Sequence, residues 1–290
     1  MIQPLFSVLI ANYNNGKYLM DAIESVRQQT YPHWEIVLVD DASTDNSEEL
    51  YAELEKDERI HIYRNEQNMG CGYTKRRCAE MAKGEFCGFL DPDDVLLPNA
   101  LHVTVDALEK HPQAVLTISR YYRCDNEMNI VSESRLLKLR PKESYLEHHD
   151  YQPEVFSGWR REAYVQTGGL DETYKAGVDQ DLYFRLEEQG EIYVIDEFTY
   201  KYRSNESALT STPYWCYYWN IIARHAACIR RGLPVKELSY ADFLQIVTEN
   251  EQYAREQVEK MQQSKAYRLG KALLKPFKWM RRNKKLKQIR

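Results

Sequence analysis

Long apolar runs, paired cysteines and glycine-rich nucleotide loops are all missing from this sequence. Its longest apolar stretches cover about five to seven residues, as in 5–11, whereas a membrane-spanning helix needs roughly 18 or more. None of the six cysteines lies in a C-x-x-C pair, which disfavours a zinc site or a disulfide framework. Neither G-x-G-x-x-G nor G-x-x-x-x-G-K-[ST] occurs, and this absence disfavours dinucleotide and P-loop enzymes.

The N-terminus also lacks a positively charged lead and a small-residue cleavage site, which predicts a cytosolic protein without a secretory signal. What the sequence does have is apolar content: 43% of its 290 residues are hydrophobic, enough for a sizeable core. We therefore expect a globular protein.

Charge is distributed unevenly along the chain. Residues 265–290 contain eleven Lys or Arg and no acid, which leaves 28 basic and 44 acidic residues in the preceding 264. An acidic body is a poor match for nucleic acid, so we expect no nucleic-acid partner. The basic tail suits an anionic surface instead.

Apolar periodicity in the first 120 residues alternates between strand-like and helix-like segments. This pattern predicts an α/β fold with a mixed, mostly parallel sheet flanked by helices. The predicted strands are 5–11, 34–39, 60–64, 86–90 and 114–118, and the predicted helices are 17–29, 45–57, 72–83 and 98–110. Mixed strands and short helices are expected between 153 and 203, followed by a helical region at 214–263 that is broken near 232–234.

Polar clusters follow three of these strands, at 12–14, 40–41 and 91–94. In such sheets ligands bind beyond the carboxyl ends of the strands, so the three clusters are expected to converge on one crevice. Three carboxylates within 91–94 favour a Mg²⁺ or Mn²⁺ ion that is shared with substrate phosphates. The alternative for this cluster is a turn whose acids cap the next helix.

Two further features have both a binding and a purely structural interpretation. Asp40 and Asp41 are free for a base or a sugar hydroxyl if Ser43 or Asp45 caps the following helix; otherwise they serve only the turn. The basic run 75–77 lies near a helix N-terminus, where it indicates either a phosphate or a solvated basic face.

Taken together, these segments resemble the successive motifs of family 2 glycosyltransferases. The motif-bearing segments are 6–15 (FSVLIANYNN), 37–45 (VLVDDASTD), 68–70 (NMG) and 89–94 (FLDPDD), with looser matches at 158–163 (GWRREA), 168–172 (GGLDE) and 177–182 (GVDQDL). The resemblance implies a GT-A, Rossmann-like nucleotide-diphospho-sugar transferase fold and an inverting transfer from a UDP-type sugar donor. It also implies Mn²⁺ or Mg²⁺ as cofactor.

The resemblance also implies roles for individual residues. Those expected at the nucleoside or its phosphates are Ala11, Tyr13, Asp40, Asp41, Arg76 and Asp91, with Tyr13 against the base. Asp91 and Asp93 form the D-x-D, in which Asp93 is the expected metal ligand and Asp91 faces ribose or metal. At Asn205 many relatives place a His that approaches the metal or the diphosphate.

An inverting transfer needs a base for the acceptor hydroxyl, and a carboxylate can serve. The resemblance places Asp179 at that base and Asp181 beside it, although acids in a helix's first turn are also favourable in themselves. Trp159 is a candidate for stacking on the acceptor sugar, with core packing as its alternative.

The C-terminal part suggests further partners. Aromatic and apolar residues among the cations of 265–290 predict a basic amphipathic tail that binds an anionic membrane at its cytosolic face. The alternatives are a solvated tail and a tail docked on the acidic body. The aromatic cluster 214–219 indicates an acceptor groove, a buried helix face or a homodimer contact. The predicted divisions are a catalytic domain at 1–210 (nucleotide-sugar half 1–118, acceptor half 119–210), a helical extension at 211–264 and the tail at 265–290.

The leading hypothesis is thus an enzyme, a glycosyltransferase that acts on a saccharide or lipid-linked saccharide in cell-surface polysaccharide or glycan biosynthesis. Two alternatives remain. A sugar-phosphate nucleotidyltransferase shares the metal carboxylates, but it usually has a glycine-rich basic loop after the first strand, where this chain has 12–17 (NYNNGK). The other alternative is a non-catalytic, membrane-associated relative.

Overall fold

The computed structural model describes residues 3–139, 143–147, 156–204 and 213–234. The chain divides into two compact units, Met1–Pro234 and Val235–Arg290. The second unit, which includes the predicted amphipathic tail and most of the predicted helical extension, lies outside the described residues. Asn205 also lies outside them.

The N-terminal half alternates strands and helices as the periodicity predicts. Its elements are β1 (Phe6–Asn12), α1 (Gly16–Arg27), β2 (Trp34–Asp40), α2 (Ser47–Leu54), β3 (Ile60–Arg64), α3 (Cys71–Met81) and β4 (Phe86–Phe89). Each starts and ends within a few residues of its predicted limits. Local periodicity therefore determines this half well.

The remaining elements are shorter and less regular. They are β5 (Val95–Leu96), α4 (Ala100–Lys110), β6 (Ala114–Cys124), β7 (Ile130–Glu133), β8 (Gly158–Arg160), α5 (Arg161–Gln166), α6 (Val178–Glu187), β9 (Glu191–Arg203) and α7 (Pro213–Arg230). A 3-10 turn covers Tyr145–Glu147. Among the helices in the described parts of the chain, none is long and apolar enough to cross a membrane.

The nine strands of the described residues belong to one mixed sheet of order β3-β2-β1-β4-β8-β6-β9-β5, with β7 paired to β6. β1 to β4 run parallel, whereas β8 is antiparallel to both β4 and β6. In the sequence, the predicted strand 114–118 follows 86–90 as the next strand of a mostly parallel sheet. In the structure, β8 lies between β4 and β6. The mixed, mostly parallel α/β sheet with flanking helices is otherwise as predicted.

Parallel register brings the strand ends together. β1 and β2 pair from Phe6 with Trp34 through to Asn12 with Asp40, so their last residues lie side by side. Residues of β1 alternate between two cores, with Ile10 packing among the α1 side chains and Leu9 packing with α3 on the opposite face. Burial on both faces is what a central parallel strand requires.

Candidate active site

The first polar cluster at the carboxyl-terminal edge of the sheet is organised around Asp40. Its buried carboxylate accepts hydrogen bonds from the Tyr51 hydroxyl at 2.6 Å, Asn12 Nδ2 at 3.1 Å and the Ser43 backbone N–H at 3.0 Å. A buried carboxylate has to be satisfied by donors. Asp40 therefore organises the loop that follows β2, and its contact with the nucleoside stays a prediction.

Asp41 has the same kind of environment in the adjacent loop. Its carboxylate accepts from the Met69 and Gly70 backbone N–H groups at 2.8 Å each and from Asn65 Nδ2 at 2.7 Å. Gly70 has φ +91°, a left-handed conformation that favours glycine and turns the chain into α3. Asp41 thus holds the entrance of α3, and its contact with the nucleotide stays a prediction.

Tyr13 follows β1 at this edge and is 45% exposed, while Ala11 on β1 is half-buried. The next residue, Asn14, has φ 54° and is held by Ser43 Oγ and by the Thr44 N–H. Because the turn is held by these bonds, the Tyr13 ring lies at the surface of the edge. That position suits stacking on a planar base, and the roles of Tyr13 and Ala11 stay predictions.

The 91–94 loop separates its carboxylates. Asp94 is buried, where its oxygens accept from the Tyr200 hydroxyl and the Arg203 N–H at 2.7 Å each. Burial raises the pKa of Asp94 well above its usual value, and the charges of Asp93 and Asp91 add to that rise. In contrast, the Asp91 side chain remains 46% exposed and Asp93 is partly buried.

Lys75 is the residue that links this loop to the second half of the fold. Its buried ammonium lies 3.1 Å from Asp91 Oδ1 and 2.9 Å from Asp179 Oδ2. Burial alone lowers the pKa of Lys75, but Asp179 and Asp91 outweigh it and raise that pKa well above the ordinary value. One cation therefore holds two carboxylates from opposite halves of the fold at a single point.

A close contact between chain segments makes this bridge possible. A Cβ atom on Gly72 would meet the Tyr174 carbonyl oxygen at 2.6 Å, and the Gly72 N–H donates to the same oxygen at 3.2 Å. Glycine therefore lets the first turn of α3 approach the loop before α6. Lys75, one turn further along α3, consequently reaches Asp179 in the first turn of α6.

The pKa of Asp179 is raised above its ordinary value. Burial raises the pKa of its carboxyl, Lys75 opposes that shift and Asp91 adds to it. A carboxylate whose pKa is raised holds a proton more strongly than a solvated one, which suits general-base chemistry at an acceptor hydroxyl.

Three of the predicted site residues have other contacts. Arg76 points away from Lys75, since its guanidinium donates to Glu80 Oε1 at 2.8 Å and to the Leu170 carbonyl at 2.9 Å. The prediction assigned the site's basic residue to Arg76, yet Lys75 occupies that position. Neighbouring residues on a helix project about 100° apart, so only one of them can face the site.

Trp159 is buried on β8, with its ring centroid 5.1 Å from that of Phe89. The prediction that it stacks on an acceptor sugar is wrong, because a side chain with 1% exposure belongs to the core. Trp219, from the aromatic cluster on α7, packs against Tyr174 at 5.1 Å, while the side chains of 214–217 lie outside the described part of the chain.

Asp181 is buried and ion-paired, at 2.6 Å to Arg185 and 3.2 Å to Arg230. The pair with Arg185 lies within α6, whereas the pair with Arg230 attaches α6 to α7. The predicted acceptor-side role of Asp181 is therefore corrected to a structural one, because a buried carboxylate with two guanidinium partners is fully engaged.

The side chains in the loop after β4 fit a Mg²⁺ or Mn²⁺ ion, which proteins usually hold with one or two carboxylates together with substrate phosphates. The carboxylates of Asp91 and Asp93 are separated by one residue and offer hard oxygen ligands. Asp91 is open to solvent. Within the described ranges no three His, Cys, Asp or Glu side chains group around one point.

Solved structures show which class of protein has this fold. S. aureus TarS 1-349, in a crystal structure with UDP-GlcNAc, is 21% identical with a TM-score of 0.63, over 84% of this chain and 70% of that chain. The mannosyltransferase PcManGT of Pyrobaculum calidifontis, solved with GDP-Man and Mn²⁺, is 14% identical with a TM-score of 0.59, over 79% of this chain and 65% of that chain. The fold is that of the GT-A glycosyltransferases.

Sequence comparison then identifies the family. The model described as Glycosyl transferase family 2 matches residues 7–168. The uncharacterized glycosyltransferase MJ1057 of Methanocaldococcus jannaschii is 30% identical over 211 residues, which are 70% of this chain and 72% of that protein. TuaG of Bacillus subtilis, described as a teichuronic acid biosynthesis glycosyltransferase, is 42% identical over 93 residues, which span only 32% of this chain and 37% of TuaG. This chain belongs to glycosyl transferase family 2 and is a glycosyltransferase.

Proposed function

We propose that the enzyme transfers a sugar, with inversion, from a UDP-type nucleotide-sugar donor to a hydroxyl of a saccharide or lipid-linked saccharide in polysaccharide or glycan biosynthesis. The observation that carries the proposal is the meeting of Asp91 and Asp179 at the Lys75 ammonium, 3.1 and 2.9 Å from their oxygens. A transferase of this type needs a nucleotide-phosphate end and a base in one site, and this arrangement provides candidates for both.

In the proposed reaction Asp179 accepts the proton of the acceptor hydroxyl as that oxygen bonds to the anomeric carbon. Its raised pKa makes it a stronger base than a solvated Asp, as the reaction requires. Lys75 orients the Asp179 carboxylate through its bonds of 2.9 and 3.0 Å. It also places a positive charge at the end where the donor's diphosphate departs.

Asp91 and Asp93 would hold a Mn²⁺ or Mg²⁺ ion, which supplies positive charge for the leaving diphosphate. Tyr13, which follows the neighbouring strand β1, would contact the base. Support for a nucleoside-diphosphate donor comes from the two similar structures, whose crystals contain UDP-GlcNAc and GDP-Man. Support for a polysaccharide product comes from the teichuronic acid assignment of TuaG.

The test is a panel of UDP- and GDP-sugars with Mn²⁺ or Mg²⁺, followed by release of the nucleoside diphosphate. The native chain is compared with Asp93→Ala, Asp179→Asn and the control Asp106→Asn, which changes an exposed acid paired only with Lys110. The proposal is supported if the native chain and the control turn over one donor while Asp93→Ala and Asp179→Asn do not. Pyrophosphate release from a sugar phosphate and a nucleoside triphosphate would instead indicate a nucleotidyltransferase.

A chain without turnover is then tested for binding. A ligand that binds only the folded state must raise the melting temperature. If UDP with Mn²⁺ raises it, the assay lacks the right acceptor. If neither ligand changes it, the chain is a non-catalytic relative and the proposal is wrong.

We also propose that residues 265–290 bind the protein to an anionic membrane. Their eleven cations are interspersed with large apolar side chains, including Phe277 and Trp279, and this composition suits the headgroup region. The full chain is expected to co-sediment with phosphatidylserine vesicles at physiological salt and to lose binding when 281, 282, 284 and 285 are changed to Gln. Equal sedimentation of the two proteins would contradict this proposal.

A further inference from the structure

Arg203, the last residue of β9, is a buried guanidinium that joins several segments behind the 91–94 loop. It is 4% exposed. Its Nε donates to the Asp93 carbonyl at 2.7 Å, and its two terminal nitrogens donate to Asp21 Oδ2 at 2.7 Å and to the Asn126 carbonyl at 2.6 Å. The guanidinium also lies over the Tyr18 ring, 4.4 Å from its centroid. The Arg203 side chain thus connects three segments: α1, the turn after β6, and the 91–94 loop.

β9 attaches to the same loop a second time through Asp94. The Arg203 backbone N–H and the Tyr200 hydroxyl each donate to the Asp94 carboxylate at 2.7 Å. The backbone bond does not depend on the Arg203 side chain. A substitution of that side chain can therefore remove its hold on Asp93 while the anchor at Asp94 remains.

We propose that Arg203 is a positioning residue that sets the place of Asp93 through its bond to the Asp93 backbone carbonyl. The proposal rests on the proposed function, in which the Asp93 carboxylate holds the divalent ion. Residues that orient metal ligands contribute to affinity even though they never touch the ion. Arg203 holds the main chain of the proposed ligand itself, and the flat fork that reaches three oxygen acceptors is a geometry that lysine lacks.

The experiment measures Mn²⁺ binding by the full chain in saturating UDP, with free Mn²⁺ read from its electron paramagnetic resonance signal. Arg203→Lys keeps the charge and the backbone bond to Asp94 but loses the fork. We expect Mn²⁺ to bind about tenfold more weakly or worse. UDP affinity measured in EDTA is expected to stay native, because Arg203 does not contact the β1 and β2 loops where the base is proposed to lie.

Arg160→Lys is the matched control. Arg160 also donates to two backbone carbonyls, those of Ala114 and Leu108, and lies over the Phe86 ring, but it pairs with the start of β4, at the opposite edge of the sheet. Both variants are expected to lower the melting temperature, whereas only Arg203→Lys is expected to weaken Mn²⁺ binding. Native Mn²⁺ affinity in Arg203→Lys, or an equal loss in both variants, would overturn the proposal.

Asp21→Ala gives a second variant in case Arg203→Lys does not fold. Asp21 is more than half exposed on α1 and accepts from one arm of the guanidinium, so its removal frees that arm while the bonds to the Asp93 and Asn126 carbonyls remain. We expect a smaller loss of Mn²⁺ affinity in the same direction, and native affinity would count against the proposal. If the native chain itself binds neither UDP nor Mn²⁺, the proposed function is wrong and this inference falls with it.

Discussion

Two pairs of carboxylates at the carboxyl-terminal edge of the sheet differ in what binds them. Asp40 and Asp41, the buried pair, each accept three hydrogen bonds from N–H or O–H donors in neighbouring segments of the fold. Asp91 and Asp179, the bridged pair, are partly exposed and share the Lys75 ammonium. The buried pair builds the loops of the site, whereas the bridged pair keeps lone pairs open to ligands. Sequence alone presents all four as similar acids at strand or helix ends.

The largest expected effect comes from removing the cation of the bridged pair. In Lys75→Met two carboxylates face each other without a neutralising charge, and Asp179 loses the donor that orients it. We expect kcat/KM for the donor found above to fall about 100-fold or more. Lys110→Met, on the exposed face of α4, is the control and is expected to be native. Native kinetics in Lys75→Met would show that the bridge has no part in the reaction.

Loss of one acid of the buried pair should affect stability first. Asp41→Ala leaves the Met69 and Gly70 N–H groups without their acceptor and removes one of two acceptors of Asn65 Nδ2. We expect a loss of about 2 kcal/mol or more in the free energy of unfolding, measured by urea denaturation. Asp106→Ala removes only an exposed ion pair and should change that free energy by less than about 1 kcal/mol. Equal effects of the two changes would remove the distinction between the pairs.

Substitution of Tyr13 tests whether the exposed ring beside the buried pair contributes to ligand binding or to stability of the fold. The ring is 45% exposed, so Tyr13→Ala should leave the melting temperature unchanged. Loss of a base-stacking surface is expected to weaken UDP binding by about 1–3 kcal/mol, as measured by calorimetry. Tyr13→Phe keeps the ring and should bind UDP normally. Weak binding by Tyr13→Phe would instead indicate a role for the hydroxyl.

The smallest effect is expected at Asp45, beside the buried pair. Burial raises its pKa, but hydrogen bonds from Ser47 and from the Gly16 N–H at the start of α1 outweigh burial, so the pKa is lowered. A lowered folded pKa stabilises the protein above the unfolded value of about 3.9, and that contribution is lost as the pH falls through the folded value. Asp45→Asn should therefore cost up to about 1 kcal/mol at pH 7.

Urea denaturation of the native chain and Asp45→Asn at several pH values checks this expectation. The difference in unfolding free energy is expected to shrink steadily as the pH falls below the unfolded pKa of about 3.9. A difference that stays constant with pH would show that the amide and the carboxylate serve this turn equally.

Local patterns predicted the N-terminal half well because each signal lies within a few consecutive residues. The predicted strand at 86–90 appears as Phe86–Phe89, and the acids after it lie at the expected edge. Long-range pairing was not predictable in the same way. β8 inserts between β4 and β6 because of contacts across some 40 to 70 positions of the chain, and no local periodicity records such contacts.

The choice between Lys75 and Arg76 shows the same limit at a single helix turn. Both lie in one basic run, and the family resemblance favoured Arg76. A rotation of about 100° per residue, together with the close approach at Gly72, decided that Lys75 faces the carboxylates. Trp159 and Asp181 likewise carry side chains of a functional type, yet burial assigns both to packing.

The sequence by itself determined the family, the alternation of strands and helices, and the positions of the carboxylates at strand ends. These follow from short apolar periods and local motifs, which can be recognised in the sequence without knowledge of the fold. Only the tertiary structure decided which carboxylates accept hydrogen bonds from neighbouring segments. It also decided that Lys75 is the cation that joins the two halves of the fold. The reason is physical: burial and hydrogen bonding depend on segments distant in the chain, and they determine whether a carboxylate is structural or open to a ligand.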